Sequence, residues 1–424
     1  MVEKRSYLEP SKKLPILAST EVAVVGAGPA GLGASIAAAR NGVKTFLIER
    51  YGFLGGNVTA GLMTCLNGWR QQRPPNDLQA VKGIGAKLIG RLYSMGAATA
   101  DTHYEQEPFD ISKGLLPFSV AVDPEALKYM ALKMCQEAGV EFLLHSFVAG
   151  AIVEDDEIKG VVVENKSGRG VVEAQVVIDC SGDGDVAARA NVPFDMAPNE
   201  DPRKMAWTLM YRTAGINRER LEGKLTDTIG GLTTLWGART EKALDGTDVW
   251  DLTKGEVELR LRTWEAFQEM RKSKFGYENA YIAETATQVG VRETRRIRGE
   301  YVLTLDDALE AKPMPDCITI CAKPIVNWFG YRFHFKHEGF EIPYRSLVPL
   351  KVDNLLLAGR CISQEQPVFQ SSRSFAPSIA MGQASGTAAA LAVHNGVAPR
   401  NLAVSLLQQT LLSQGAELGR RFHR

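Results

Sequence analysis

The chain has no CxxC pair. Its six cysteines, Cys65, Cys135, Cys180, Cys317, Cys321 and Cys361, are scattered over 424 residues. Secreted disulfide frameworks and structural zinc sites look different, so a reducing compartment is expected and no metal site. Cys317 and Cys321 share a face if Cys317-Ile-Thr-Ile-Cys321 is a strand, and two buried thiols are expected there. No sign of charge dominates, since 49 basic residues meet 49 acidic ones. The chain as a whole therefore offers no electrostatic reason for a nucleic-acid partner. Met1-Val-Glu-Lys-Arg-Ser lacks the apolar stretch of an export signal. The uncharged run Val22–Ala39 holds Gly26, Gly28, Pro29, Gly31 and Gly33, which fits a nucleotide turn better than a membrane span. A cytoplasmic protein with no membrane span is the expectation.

What is present is a large core. Apolar residues make up 45% and charged ones 23%, which excludes wholesale disorder. At ~150 residues per domain the length allows three domains, and a two-domain α/β enzyme fits equally well.

Glu21-Val-Ala-Val-Val25 reads as a buried parallel strand. Gly26-Ala-Gly28-Pro-Ala-Gly31 follows at once, then an Ala-rich helix to Arg40, the stop Asn41-Gly42, and a second strand, Val43–Ile48, ending in Glu49. Gly26 permits the tight turn, Gly28 lets backbone approach a pyrophosphate, and Gly31 lets helix and strand pack closely, with the helix N-terminus facing the anion. Glu49, eighteen positions after Gly31, can accept hydrogen bonds from ribose hydroxyls, which argues against a 2′-phosphate and hence against NADP. Strand, helix and spaced acid together predict dinucleotide binding, without separating FAD from NAD.

Three further segments bear on that choice. Arg50-Tyr-Gly-Phe-Leu-Gly55-Gly56-Asn57 places a glycine pair soon after the acid, as backbone lying against a long cofactor would require. Val122-Asp123-Pro124 opens a helix that stops at Gly139. Strands from Val140 and a hairpin then lead into Asp179-Cys-Ser-Gly182-Asp183-Gly184-Asp185. Gly182-x-Gly184-x-x-Ala187 mimics a second fingerprint, but Asp183 and Asp185 would set two carboxylates beside a pyrophosphate. Without a second fingerprint, a built-in NAD(P)-reductase domain is not expected. Asn354-Leu-Leu-Leu-Ala-Gly359-Arg360 reads as a strand. After a polar loop, Cys361–Ser374, comes a helix of small residues in which Gly382 and Gly386 allow close backbone approach.

These words together resemble the FAD-dependent oxidoreductases of the glutathione-reductase-type superfamily, which includes fumarate reductase, L-aspartate oxidase and tRNA-modifying flavoproteins. The resemblance rests on Gly55-Gly56-Asn57-Val-Thr-Ala-Gly61, Asp179–Asp185, Val291–Tyr301, Ile342–Leu347, Leu357–Ser363 and Gly382–Gly386. It implies an α/β fold: a Rossmann-type FAD-binding domain in discontinuous segments (15–70, 120–190 and 342–424), with an inserted α+β substrate domain (71–119 and 191–341). The expected FAD-binding residues are Gly26, Gly28, Ala30, Gly31, Glu49, Arg50, Gly55, Gly56, Asn57, Val148, Ser181, Gly182, Asp183, Gly359, Arg360, Ser374, Phe375 and Gly382. One departure stands out. Family members often carry a histidine after the Gly-Arg-Cys-Ile-Ser word, where this chain has Gln364; the family's last-loop arginine is matched by Arg373.

On the substrate side, Glu256–Arg271 is amphipathic, and Val257, Leu259, Leu261, Trp264, Phe267 and Met270 are expected to form one core face. Trp207, Trp236, Trp250, Trp264 and Trp328 are expected mostly to pack. Among Arg292, Arg295, Arg296 and Arg298, most are expected in salt bridges, with Arg295 the candidate for an anion. Tyr331–Phe335 reads as a strand carrying His334, with His337 near its end. The expected function is a dehydrogenase or oxidase that passes hydride from a small-molecule C–OH or C–N group to flavin N5. His337 or His334 is the expected base, and Arg345 and Arg373 orient substrate. The acceptor would be oxygen, a quinone or a carrier protein, and homo-oligomerisation is left open. The alternatives are reduction of an activated C=C bond, an NAD dehydrogenase using only the first motif, and a non-catalytic flavin-binding subunit.

Overall fold

The β-branched run ahead of the first glycine turn is the centre of the molecule. In the computed structural model, which describes residues 7–101, 115–201, 203–221, 228–326 and 331–423, it becomes the strand Ile16–Val25. The strand begins earlier than Glu21 because Ile16–Thr20 pairs with Val171–Ala174 of a neighbouring strand. On one side it lies parallel to Thr45–Ile48, which lies parallel to Glu141–Leu143. On the other it lies parallel to Gly168–Asp179, which also pairs with Leu355–Leu357 near its end. The hairpin strands Glu157–Asn165 and Phe147–Glu154 complete this seven-stranded sheet. Val22–Val25, Leu47, Ile48 and Val176–Ile178 are buried, as expected for strands covered on both faces.

Local chemistry fixes the helices. Pro29–Arg40 has proline in its first turn and Asn41 as its C-cap. Asp123 caps Pro124–Ala138 by accepting from the N–H groups of Glu125 and Ala126 at 2.9 Å each, and Gly139 ends that helix in the left-handed region. The small-residue helix runs Phe375–Asn395 and packs along Pro29–Arg40. The polar loop expected before it contains a further helix, Gln366–Ser372, most of whose side chains are buried.

A second, antiparallel sheet orders Thr228–Ile229, Leu232–Arg239, Thr208–Ala214 and Tyr281–Thr285, with the long helix Val249–Ser273 packed on it. Buried Arg212 joins this inserted part to the first, pairing with Glu284 at 2.8 Å and Asp123 at 2.9 Å. The long helix corrects one expectation. Gly255, Leu259, Thr263 and Phe267 form its buried stripe, whereas Val257, Leu261 and Trp264 face solvent. Residues two apart lie ~200° apart on a helix, so an alternating run such as Val257-x-Leu259-x-Leu261 cannot form one face. The tryptophans also divide. Trp207 is fully buried, Trp236, Trp250 and Trp264 are exposed, and Trp328 lies outside the described residues.

Cys317 and Cys321 sit in the strand Cys317–Cys321, buried and in no disulfide. Burial pushes Cys317 well above the ordinary thiol range and Cys321 to about 12, so both are inert packing groups. No described helix is long and apolar enough to cross a membrane. Among the described residues no cluster of His, Cys, Asp or Glu could hold a metal ion.

Candidate flavin site

The first glycine turn is sterically determined. Gly26 has φ +92°, and a Cβ there would lie 2.7 Å from the Cys180 carbonyl oxygen. A Cβ on Gly31 would lie 1.8 Å from the Gly26 oxygen. Gly28 is the N-cap of Pro29–Arg40, with no side-chain cap and no acid in the first turn. The first-turn N–H groups there are open to an anion, unlike those held by Asp123 at Pro124–Ala138.

Glu49 is buried at the end of its strand. One oxygen accepts the Ala27 N–H at 2.7 Å and the other the Tyr51 N–H at 3.0 Å, which fixes the carboxylate and leaves acceptor capacity on both oxygens. The Gly55–Gly56 backbone lies against Gly28: a Cβ on Gly56 would meet the Gly28 Cα at 2.6 Å, and Gly55 N–H donates to the Ala27 oxygen at 2.9 Å. The Asn57 carbonyl accepts from Gly61 and Met63 N–H groups at 3.1 Å each, closing the loop on itself. Arg50 turns towards the inserted part, donating to Gln288 at 2.6 Å above the Tyr51 ring. Val148 is buried in the hairpin, opposite Val163.

Asp179 organises the next segment. It is fully buried. One oxygen accepts the Ser181 N–H and hydroxyl at 3.0 and 2.6 Å; the other accepts Val186 and Ala187 N–H groups at 2.9 and 3.0 Å. Burial pushes its carboxyl above the usual carboxylate range, partly offset by these donors. The short helix Asp185–Arg189 therefore has its N-terminal donors already occupied by Asp179. This adds a second physical reason why Gly182-x-Gly184-x-x-Ala187 is not a phosphate turn.

Asp183 pairs with Arg360 and accepts the Thr294 hydroxyl at 2.7 Å, while Arg360 also donates to the Gly182 oxygen at 2.8 Å and to the Val291 oxygen. A Cβ on Gly359 would meet the Ala30 methyl at 3.0 Å, and one on Gly382 would meet the Ala30 oxygen at 1.9 Å. Gly386 faces the Ala34 oxygen and Gly33 the Ile379 oxygen in the same way, at 2.1 and 2.2 Å. Ser374 is the N-cap of Phe375–Asn395, again with no side-chain cap and no acid in the first turn, and Phe375 beside it is buried. Segments at 26–31, 55–57, 181–183, 359–360 and 374–382 are thus brought together. Two helix N-termini with free donors and glycine-lined approaches fit an elongated dinucleotide with an anionic pyrophosphate at its middle and, when reduced, negative charge on the ring at one end. Gln364, in place of the family's histidine, is buried and spans the loop, donating to the Arg360 oxygen at 3.4 Å and accepting the Ser372 hydroxyl at 2.5 Å.

The expected substrate-side residues fare unevenly. The Tyr331–Phe335 strand shrinks to Arg332–Phe333, because Phe335 turns inward to pack edge-on against Phe340. His337 is exposed. His334 is half-buried with an unpartnered, buried Nδ1, and burial, then Arg73 and Arg332, lowers its pKa. Arg345 is committed to Asp316 at 2.9 and 3.1 Å and lies over the Tyr301 ring. Arg373, beside the Ser374 cap, is held down to about 9 by burial and then by Arg292 and Arg360. Arg295 pairs with Asp185 at 3.0 Å, Arg296 with Glu293 at 2.8 Å and Arg298 with Asp195 at 2.8 Å. Among the described residues, the arginine of that group with no ion pair is Arg292 rather than Arg295. Sequence reasoning missed Lys323, whose pKa is lowered to about 7 by burial and then by Arg373. Its signal was a single cation after the apolar Cys317–Ala322 run.

Fold and site together define a dinucleotide-binding flavoprotein. The model of the family described as FAD dependent oxidoreductase matches residues 21–411, and the chain belongs to that family. This is a family of FAD-dependent enzymes; the chain has an α/β Rossmann-type fold in discontinuous segments with an inserted substrate-binding region, and its membership supports FAD as the cofactor. Among curated proteins it is 28% identical over 202 residues to a probable fumarate reductase, Ifc3, of Shewanella frigidimarina, covering 39% of this chain and 32% of that protein. It is 28% identical over 174 residues to a thiamine thiazole synthase of Methanococcus vannielii, covering 39% and 57%. The matches thus span about a third to a little over half the length of these relatives. Among solved structures, a geranylgeranyl bacteriochlorophyll reductase-like protein of Thermoplasma acidophilum superposes with TM-score 0.50 at 12% identity, covering 94% of this chain and 84% of that one. The p-nitrophenol 4-monooxygenase PnpA of Pseudomonas putida gives TM-score 0.50 at 11% identity, with 93% and 84% covered. Likeness at this level shows the fold alone.

Proposed function

We propose that the protein oxidises a small molecule at a C–OH or C–N group, with hydride delivered to flavin N5. The observation that carries this reading is the convergence of five sequence-distant segments on two uncapped helix N-termini. FAD supplies a two-electron acceptor when bound. The N–H groups after Gly28 would hold its pyrophosphate, with Gly56 and Asn57 alongside. Glu49 would take the adenosine ribose, with Val148 towards the adenine. Asp183, set by Arg360, would serve the ribityl chain. The Ser374–Phe375 terminus would supply N–H donors to negative charge on the ring. His334 is the proposed base of the two histidines, since it is half-buried where His337 is exposed, and its buried Nδ1 has no hydrogen-bond partner among the described residues and is free to accept a proton. Electrons then leave to oxygen, a quinone or a carrier protein.

A second reading, reduction of an activated C=C bond, is favoured by one observation: Arg373 immediately precedes the Ser374 cap with no ion pair and an unpartnered Nε among the described residues. The similarity to a probable fumarate reductase points the same way.

Anaerobic mixing of the yellow holoprotein with alcohols, amines and amino acids tests the first reading by flavin bleaching. Reoxidation of the dithionite-reduced protein by activated alkenes tests the second. Silence in both directions across a broad panel removes both. For the cofactor itself, Glu49→Gln is expected to weaken FAD about tenfold or more, because an amide N–H₂ would then face the Ala27 or Tyr51 N–H, with ~1.5–3 kcal/mol at stake for bonds to a charged group. Fluorescence titration of apoprotein with FAD measures it, and unchanged affinity removes Glu49 from the site.

A further inference from the structure

Most cations around the flavin segments have an acid partner. Arg360 has Asp183, Arg295 has Asp185, Arg296 has Glu293 and Arg203 has Asp201. Arg292, Lys323 and Arg373 have no ion pair among the described residues.

All three stand near the N-terminus of Phe375–Asn395. Arg373 immediately precedes the Ser374 cap. Lys323 flanks Gly68 together with Pro377 of the helix's first turn; the Lys323 Cβ and Pro377 Cδ lie 3.4 and 3.6 Å from where a Gly68 Cβ would sit. Arg292 follows Val291, whose carbonyl holds Arg360, and it is close enough to act electrostatically on both Arg373 and Lys323.

Their remaining contacts are weak, and the acid that acts on Arg373, Glu293, is already paired with Arg296 at 2.8 Å. Arg373 lies over the Phe369 ring at 5.7 Å, has one terminal nitrogen 3.6 Å from the Met205 sulfur, and keeps its Nε buried without a partner. Arg292 lies over the Trp236 ring at 5.0 Å. Lys323 donates to the Gln370 oxygen at 3.3 Å. Like charges gathered with low solvent access oppose folding unless an anion joins them.

A reduced flavin brings about one negative charge to this helix terminus, which leaves a surplus of positive charge. Two guanidinium forks and an ammonium on aromatic and thioether walls suit a planar carboxylate better than a neutral alcohol or amine. We infer that Arg292, Lys323 and Arg373 are the recognition site for a carboxylate on the substrate, so that the substrate is a small carboxylic acid anion. This inference rests on the flavin reading above.

The charges facing Lys323 agree with it. Arg373, Arg292 and Arg332 all disfavour its ammonium form beyond the effect of burial, Cys321 alone favours it, and its pKa lies at about 7. Anion binding therefore recruits a proton to Lys323, and affinity falls as pH rises through 7 and above.

The test uses the FAD-loaded protein and reads flavin absorbance during titration with oxalate and malonate, with malonamide and inorganic phosphate as comparisons. A saturable spectral shift is expected from the dicarboxylates and none from malonamide. Arg373→Gln and Arg292→Gln each weaken binding at least tenfold. Wild-type affinity falls by up to tenfold per pH unit between about pH 7 and 8, and Lys323→Gln abolishes that slope. If one variant does not fold, the other two carry the same comparison.

An equal shift with malonamide, or no shift with carboxylates, overturns the inference, and a response to phosphate alone overturns the carboxylate assignment. Flavin bleached by neutral alcohols or amines in a protein blind to carboxylates overturns this inference and leaves hydride transfer standing. A malonate shift without bleaching by any compound keeps the carboxylate site and removes the proposed turnover.

Discussion

Gly382→Val is expected to yield a protein that melts far below wild type and is purified without yellow colour. The added Cβ would lie 1.9 Å from the Ala30 oxygen, 2.7 Å from its carbonyl carbon and 2.9 Å from its Cα. All three are backbone atoms of the glycine-turn helix, so no side-chain rotation can relieve the contact. The same pair of helices is in backbone contact at Gly386 and Gly33, so one cannot swing away without breaking those as well. Overpacking in cores costs about 1–3 kcal/mol when neighbours can yield, and here they cannot, so at least ~3 kcal/mol is expected. Gly90→Ala provides the contrast. It lies inside the helix Gly83–Ser94 with nothing within 4 Å of the new methyl, and a gain of ~0.5–1 kcal/mol is expected from helix propensity. Thermal melts and the flavin-to-protein absorbance ratio measure both. A yellow Gly382→Val protein with a wild-type melting point would show that the two helices are not held as described.

Asp179→Ala is the second large effect. The substitution leaves the N–H groups of Ser181, Val186 and Ala187 and the Ser181 hydroxyl without their acceptor in a fully buried position. Each buried, unpaired donor costs about 1–3 kcal/mol, and water entering the cavity recovers part of it, so a net loss of ~3–5 kcal/mol is expected. Asp179→Asn keeps one acceptor oxygen and is expected to lose about half as much. Urea unfolding of the three proteins checks the order. A loss under ~1 kcal/mol for the alanine variant would mean that the turn rearranges to satisfy its own donors.

The backbone of the site was legible because it is written locally. Gly26, Gly31 and Gly382 are required by contacts with main-chain atoms, and only glycine avoids those contacts. Asp123-Pro124 and Gly139 mark their helix by capping chemistry alone. The substrate side was less legible because its meaning lies in pairing across long sequence distances. Which of Arg292, Arg295, Arg296 and Arg298 lacks an acid depends on where Asp185, Asp195 and Glu293 come to rest. Lys323 belongs to no recurring word. Its meaning comes from Arg373 and Arg292, 50 and 31 positions away in the chain. The alternating run in Val249–Ser273 misled because a period of two fits a strand, whereas the burial of Leu259, Thr263 and Phe267 follows the helical period.

Three glycine-to-backbone contacts join Pro29–Arg40 to Phe375–Asn395, so that displacing one helix would displace the other. On the proposed reading one helix addresses the phosphates of the cofactor and the other its ring. How firmly FAD is retained and how readily its ring accepts electrons are then mechanically linked. In a series of variants along this seam, dissociation constant and midpoint potential would drift together, and independent tuning of the potential would have to come from residues such as Arg360 or Arg373 that lie off it.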